Sequence, residues 1–168
     1  MTMLPPQTTG VIQLLQANSV DPILYGSQGA SLYLGAFKKF GDIDLLVDSR
    51  WLAKEWQHLM TIMNAAGFVL FDEPEHEFVD PSETRVAFAS TEILVRDGIV
   101  KSLDDYIQEF MVGGIHVQTL KPELFKKAYE FSEKDGYRKD VRGKSDKLVI
   151  QLFDAYLSTK DEAKEAMA

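Results

Sequence analysis

The sequence predicts an α+β fold: a mixed β-sheet covered by helices, followed by a helical C-terminal segment. Three observations carry this expectation. Up to Ala66, apolar spacing switches repeatedly between helical and strand periods, in the order helix, strand, helix, strand, helix. From Phe68 to Val95 the chain is rich in β-branched and aromatic residues and is punctuated by Pro74 and Pro81. The last third returns to helical spacing. A chain of 168 residues with 45% hydrophobic and 26% charged residues has room for one real core, and a domain of this size buries about 68–70% of its unfolded surface. The whole chain, 1–168, is therefore expected to form a single domain, with a sheet-containing core over 1–120 and a helical segment over 121–168.

Ile12 and Leu15 share one face of a predicted first helix over Thr9–Gln16. The apolar run Ile23-Leu24-Tyr25 predicts a short strand that ends at Gly26-Ser27. Ala30, Tyr33, Leu34 and Phe37 recur at helical spacing and predict a helix from Gly29 to about Lys38. Asp42 to Val47 then alternates carboxylates with aliphatics, as a strand does. Leu52, Trp56, Leu59 and Met63 form the stripe of a long predicted helix over residues 51–66, which Gly67 ends. Strands are expected at residues 68–71, 77–79, 84–89 and 92–95. Ser102 suits the N-cap of a helix reaching Phe110, and Gly113-Gly114 breaks the chain before a strand over residues 115–119. Pro122 opens a helix whose face continues through Leu124, Ala128 and Phe131 until Gly136. Val149, Phe153 and Tyr156 mark a final helix with a charged end from Lys160.

Composition narrows the chemistry. The chain has no cysteine, which removes disulfides, thiolate metal sites and cysteine nucleophiles together. Its three histidines are too dispersed for an imidazole metal site. No apolar run approaches the roughly 20 residues of a bilayer span, and the first residues show neither a basic nor an apolar targeting region; a soluble, cytoplasmic protein is expected, with no membrane partner. Eighteen basic against 26 acidic residues give a net charge of −8, which disfavours non-specific nucleic-acid binding. Between Lys134 and Lys147, however, six basic residues face three acidic ones, a local balance of +3 that leaves −11 elsewhere. Arg138, Lys139, Arg142 and Lys147 in this patch are candidate partners for a triphosphate or a nucleic-acid acceptor.

Two segments point to a reaction. Residues two apart on a strand project to the same side, so Asp42 and Asp44 share one face while Ile43, Leu45 and Val47 share the other. Paired carboxylates suit a hard divalent cation, and Mg²⁺ takes oxygen ligands while leaving positions for substrate phosphates. Upstream, a strand that ends in Gly26-Ser27 and turns into a helix presents backbone N–H groups and a hydroxyl at the positive end of the helix dipole, a cradle for phosphate. Together they imply metal-dependent chemistry at a polyphosphate, with two metals as a suitable arrangement.

Gly26-Ser27, fourteen residues, then Asp42-Ile43-Asp44 within an aliphatic strand resembles the signature of the nucleotidyltransferase superfamily, the polymerase-β-like fold. The likeness extends to the head domain of CCA-adding enzymes and to small antibiotic-type and toxin-type nucleotidyltransferases. The resemblance implies transfer of a nucleoside monophosphate from an NTP to a hydroxyl, on RNA, tRNA or a small hydroxylated molecule. It also implies Mg²⁺ on Asp42 and Asp44 and a triphosphate at Gly26 and Ser27. A third carboxylate is expected on a neighbouring strand. Glu92, heading Glu92-Ile93-Leu94-Val95-Arg96, resembles the Glu-led strand of CCA-adding heads, with Arg96 on the same face for phosphate; Glu77 and Glu83 are its rivals. Lys126-Lys127 and the segment around Arg138-Lys139 resemble cationic elements of toxin-type members. Gln28-Gly29-Ala30-Ser31 stands where CCA-adding enzymes usually carry an Arg-Asp pair. A non-catalytic nucleotide-binding or interaction module that retains the fold is the alternative function, and a toxin-type nucleotidyltransferase is another.

Overall fold

A computed structural model describes residues 4–35, 41–134 and 147–167. Seven strands form one mixed sheet: β1 (Ile23–Tyr25), β2 (Ile43–Val47), β3 (Val69–Asp72), β4 (Glu77–Val79), β5 (Arg85–Ser90), β6 (Ile107–Val112) and β7 (Ile115–Leu120). Their order is β3-β4-β5-β2-β1-β7-β6. β2 lies antiparallel to β1 and parallel to β5, and β1 is parallel to β7. Among the described residues six helices accompany the sheet: α1 (Pro6–Ala17), α2 (Gly26–Leu34), α3 (Trp56–Ala65), α4 (Ile93–Arg96), α5 (Pro122–Lys134) and α6 (Lys147–Met167).

The alternation read in β2 sorts its side chains between two cores. Ile43, Leu45 and Val47 join Phe78, Val86 and Phe88 on one face, under Val11, Ile12 and Leu15 of α1 and Leu59, Ile62 and Met63 of α3. Leu46 points the other way and joins Ile23, Leu120, Leu94 of α4, Phe125 and Ala128 of α5, and Phe153 of α6. The second core is markedly aromatic. The rings of Phe125 and Phe153 stack at 5.6 Å, and Tyr25 stacks on Phe125 at 6.1 Å. Tyr33 meets Phe110, Phe125, Phe153 and Tyr156 edge-on and donates its hydroxyl to the Leu120 carbonyl at 2.6 Å. Burial, reinforced by Tyr156, pushes the Tyr33 phenol far above its ordinary range, so the group stays a donor.

Several expectations are corrected. Residues 92–95 do not form a strand. β5 ends at Ser90, the Thr91 N–H donates to the Val47 carbonyl, and the Ser90 hydroxyl accepts from the Glu92 N–H, turning the chain into α4. The helix expected from Ser102 to Phe110 is also absent. Ser102 donates to the Asp104 carboxylate instead of capping a helix, and Gly113 and Gly114, both at positive φ, make a two-residue turn that folds β6 onto β7. Such a turn matches the twist of paired strands, so the hairpin prevails over local helical signals. α2 begins at Gly26, directly off β1, rather than at Gly29, and ends at Leu34 instead of continuing to Lys38, because Gly35 takes a positive φ of 87° and caps it. The helix expected over residues 51–66 is a 3-10 turn (Ser49–Leu52) followed by α3. On α5 the buried stripe is Pro122, Phe125 and Ala128, leaving Phe131 exposed. α6 continues past Lys160 to Met167.

The aromatic stack fixes α6 to the sheet. Phe153→Ala is expected to lower unfolding stability by about 3–5 kcal/mol, measured as a fall in urea midpoint at unchanged m-value.

Candidate active site

The start of α2 and the start of β2 are fastened together. The Gly41 N–H donates to Ser27 Oγ at 3.3 Å, and Gln28 Nε2 donates to the Gly41 carbonyl at 3.2 Å. Gln28 is buried and its Oε1 accepts from the Thr8 hydroxyl of α1. Tyr25, in the N-cap position, supplies α2 no side-chain cap. The first turn of this helix therefore presents backbone amides at its positive end, beside the Ser27 hydroxyl.

Asp44 reaches this turn. In the β1–β2 ladder it pairs with Tyr25, one residue before Gly26. Gly26 has φ +61°, and a Cβ there would collide with Asp44 Oδ2 and lie 3.2 Å from its Cγ. Two separate demands thus select glycine: the left-handed backbone and the carboxylate against it. The absent side chain leaves the Asp44 carboxylate and the head of α2 side by side. Asp42, just before β2, is exposed.

The ladder extends this row. Asp44 pairs with Ala87 of β5, and Ala87 pairs with Glu77 of β4. All three project from the face opposite Ile43, Val86 and Phe78. Glu77 is 15% exposed and accepts an ion pair from Arg85 Nη1 at 3.3 Å. Arg85 lies over the Phe71 ring of β3, its guanidinium carbon 4.4 Å from the ring centroid. Arg85 was not singled out by sequence reasoning, and Glu77 ranked as a rival. The signal for both was the alternation Glu77-Phe78-Val79 and Arg85-Val86-Ala87-Phe88, whose apolar members must face the core.

The structure brings together Gly26, Ser27 and Asp44, with Asp42 immediately before β2. It separates Glu92 and Arg96 from them. Both follow the end of β5 that lies beside Val47, whereas the aspartates stand at the opposite end of β2. Glu92 is exposed, and Arg96 Nε is bonded to Asp97 at 3.0 Å. The correction follows from β5 ending at Ser90: without a strand, Glu92, Leu94 and Arg96 no longer share a face. Lys127 is exposed on α5 beside Asp97, Gly98, Glu130 and Lys134. Its neighbour Lys126 is engaged by Asp154 at 2.7 Å, and that hydrogen bond raises its pKa. Arg138 and Lys139, with Arg142, lie outside the described residues. Among the described residues no three carboxylate or imidazole groups are gathered into a ready-made metal site.

This arrangement is that of the nucleotidyltransferase fold. The crystal structure of an antigenic nucleotidyltransferase-like protein from Paracoccidioides brasiliensis matches with a TM-score of 0.62 at 16% identity, over 88% of this chain and 73% of that one. The crystal structure of the lincosamide antibiotic adenylyltransferase LnuA, lincomycin-bound, matches at 0.59 and 15% identity over 93% and 99% of the two chains. The solution structure of the antibiotic-resistance factor ANT(2'')-Ia matches at 0.54 and 14% identity, over 96% of each. No family model matches the sequence. By sequence, the chain belongs to the family of YnaI, an uncharacterized protein of Bacillus subtilis (strain 168), to which it is 30% identical over 136 residues, 80% of this chain and 84% of YnaI. No helix among the described residues is long and apolar enough to cross a membrane.

The Gly26–Asp44 contact yields a double-mutant cycle. Gly26→Ala is expected to cost about 1–2 kcal/mol for the positive φ and about 1–3 kcal/mol more for overpacking. In an Asp44→Ala background most of the overpacking part should be lost, since only the Cβ of residue 44 then remains close to the added methyl group. Denaturant titration of the four proteins measures the difference, and additive costs would show that the two residues do not meet.

Proposed function

We propose that the protein is a Mg²⁺-dependent nucleotidyltransferase that moves NMP from an NTP to the hydroxyl of a small molecule. The observation that carries this reading is the abutment of Asp44 on Gly26, which sets a carboxylate beside the amides and hydroxyl at the head of α2. Such a head suits phosphate oxygens, and the all-oxygen donor set of Asp42, Asp44 and Glu77 suits Mg²⁺. The lincomycin-bound state of LnuA supports a small hydroxylated acceptor over RNA or tRNA. An NTP substrate suits a cytoplasmic setting.

In the reaction, the acceptor oxygen forms a bond to the α-phosphorus while the bond from that phosphorus to the α–β bridging oxygen breaks and pyrophosphate leaves. Bound Mg²⁺ would activate the hydroxyl and neutralise the charge developing on phosphate. Ser27 and the first amides of α2 hold the triphosphate and fix its direction. The hydroxyl proton passes to a carboxylate of the site and then to water, since no histidine stands in the row. We assign the third carboxylate to Glu77 in place of Glu92. Ala87, standing between Glu77 and Asp44, has only a methyl group, so no long side chain separates the two carboxylates along that row.

The same Ala87 favours a second reading, a nucleotide-binding module without turnover, because the position paired with Asp44 on β5 carries no carboxylate. Saturating Mg²⁺–NTP at 100 times Kd should add about 2.7 kcal/mol of stability, a rise of roughly 5–10 °C in Tm for a chain of this length. Asp42→Asn with Asp44→Asn should abolish the rise; its persistence would sink the assignment. Glu77→Gln should keep most of the rise and lower pyrophosphate release on the order of a hundredfold, whereas Glu92→Gln should leave release unchanged. A nucleotide-dependent rise with no release for any hydroxylated acceptor tested would select the module.

A further inference from the structure

The two aspartates are held in place by different means. Asp44 stands inside the sheet, registered with Tyr25 of β1 on one side and with Ala87 of β5 on the other. Asp42 precedes the first registered pair of its strand, Ile43 with Val86, so no ladder determines where its carboxylate stands. The residue before it is a glycine, which leaves the backbone its widest choice of dihedrals. Two side chains of α2 remove that choice. Ser27 Oγ accepts from the Gly41 N–H at 3.3 Å, and Gln28 Nε2 donates to the Gly41 carbonyl at 3.2 Å. A peptide is planar, so holding this oxygen also holds the nitrogen and Cα of Asp42.

We infer that Gln28 is a positioning residue for Asp42, and that Thr8 acts with it by anchoring the far end of its amide. The inference rests on the nucleotidyltransferase reading for the use to which Asp42 is put. Gln28 is 3% exposed and Thr8 is wholly buried, and a polar side chain in such a place is unfavourable unless its groups are bonded. Here both ends of the amide have a partner. A carbonyl can only accept, so the Nε2 end must face Gly41, and Oε1 is left to accept from the Thr8 hydroxyl of α1. An apolar residue could make neither bond, and an ionised carboxylate could not donate to Gly41. The bond on the other side of Gly41 serves a different group. With Oγ accepting from that N–H, the Ser27 hydroxyl keeps its own proton to donate to a phosphate oxygen. Gln28 thus bears on the metal side of the site, and Ser27 on the phosphate side.

The test compares wild type with Gln28→Met, which keeps the length of the side chain and removes both bonds, and with Thr8→Val, which leaves Gln28 in place. Calorimetric titration gives the affinity of each full-length protein for the α,β-methylene analogues of ATP, GTP, CTP and UTP, once with Mg²⁺ and once in EDTA. For the analogue that wild type binds best, Gln28→Met should weaken the Mg²⁺ form about tenfold and leave the metal-free affinity unchanged. Thr8→Val should weaken the Mg²⁺ form less, and should add nothing when combined with Gln28→Met, because Thr8 acts only through the amide. In isotopically labelled protein without ligand, the backbone nitrogen of Asp42 shares its peptide with the Gly41 carbonyl; its resonance should shift in both variants while that of Asp44 stays in place. Thr8→Val alone carries both readouts if Gln28→Met does not fold. Unchanged Mg²⁺-dependent affinity, an equal loss with and without Mg²⁺, additive losses in the double variant, or an unmoved Asp42 nitrogen would each overturn the assignment. Failure of wild type to bind any analogue more tightly with Mg²⁺ than without it would instead overturn the nucleotidyltransferase reading, while the Asp42 nitrogen still reports on Gln28.

Discussion

Everything at the candidate site depends on a backbone passing where a side chain cannot. Gly26 leaves β1 with a left-handed φ and lies against the Asp44 carboxylate, so the first turn of α2 starts beside the strand that carries the acid. The two bonds to Gly41 hold that relation from the other side, and Gln28 ties it to α1 through Thr8. Four elements thereby converge on one short stretch. Without the close approach, a side chain would stand between the helix head and the acid.

The fold was legible where periodicity and punctuation agreed. Ile23-Leu24-Tyr25, the alternating strand after Gly41, Glu77-Phe78-Val79 and the helix opened by Pro122 all appear where the pattern placed them, and the pairing of Gly26-Ser27 with Asp44 followed from motif spacing. What was not legible depended on partners distant in sequence. Ile107-Gln108-Glu109-Phe110 reads acceptably as helix in isolation, and only pairing with β7 across Gly113-Gly114 makes it a strand. Glu92-Ile93-Leu94-Val95 has strand composition, yet β5 has already reached the edge of its ladder at Ser90, so those residues turn. That boundary is what moves Glu92 away from the aspartates. Arg85 escaped notice because its place beside Phe71 comes from the order β3-β4-β5-β2, which no local pattern contains.

The Asp44 face is divided by packing. One half serves as a floor for the aromatic helices, and at the far edge, on β3, Val69 and Phe71 are exposed. The aspartates stand between the two. The opposite face, filled by α1 and α3 residues along its length, has no such division.

The stacked rings of Phe153, Phe125 and Tyr25 connect the end of the chain to the strand beside Asp44. Close-packed interiors pass displacement on rather than absorbing it. A substitution that displaces Phe153 is therefore felt, through two aromatic contacts, at the residue that immediately precedes α2.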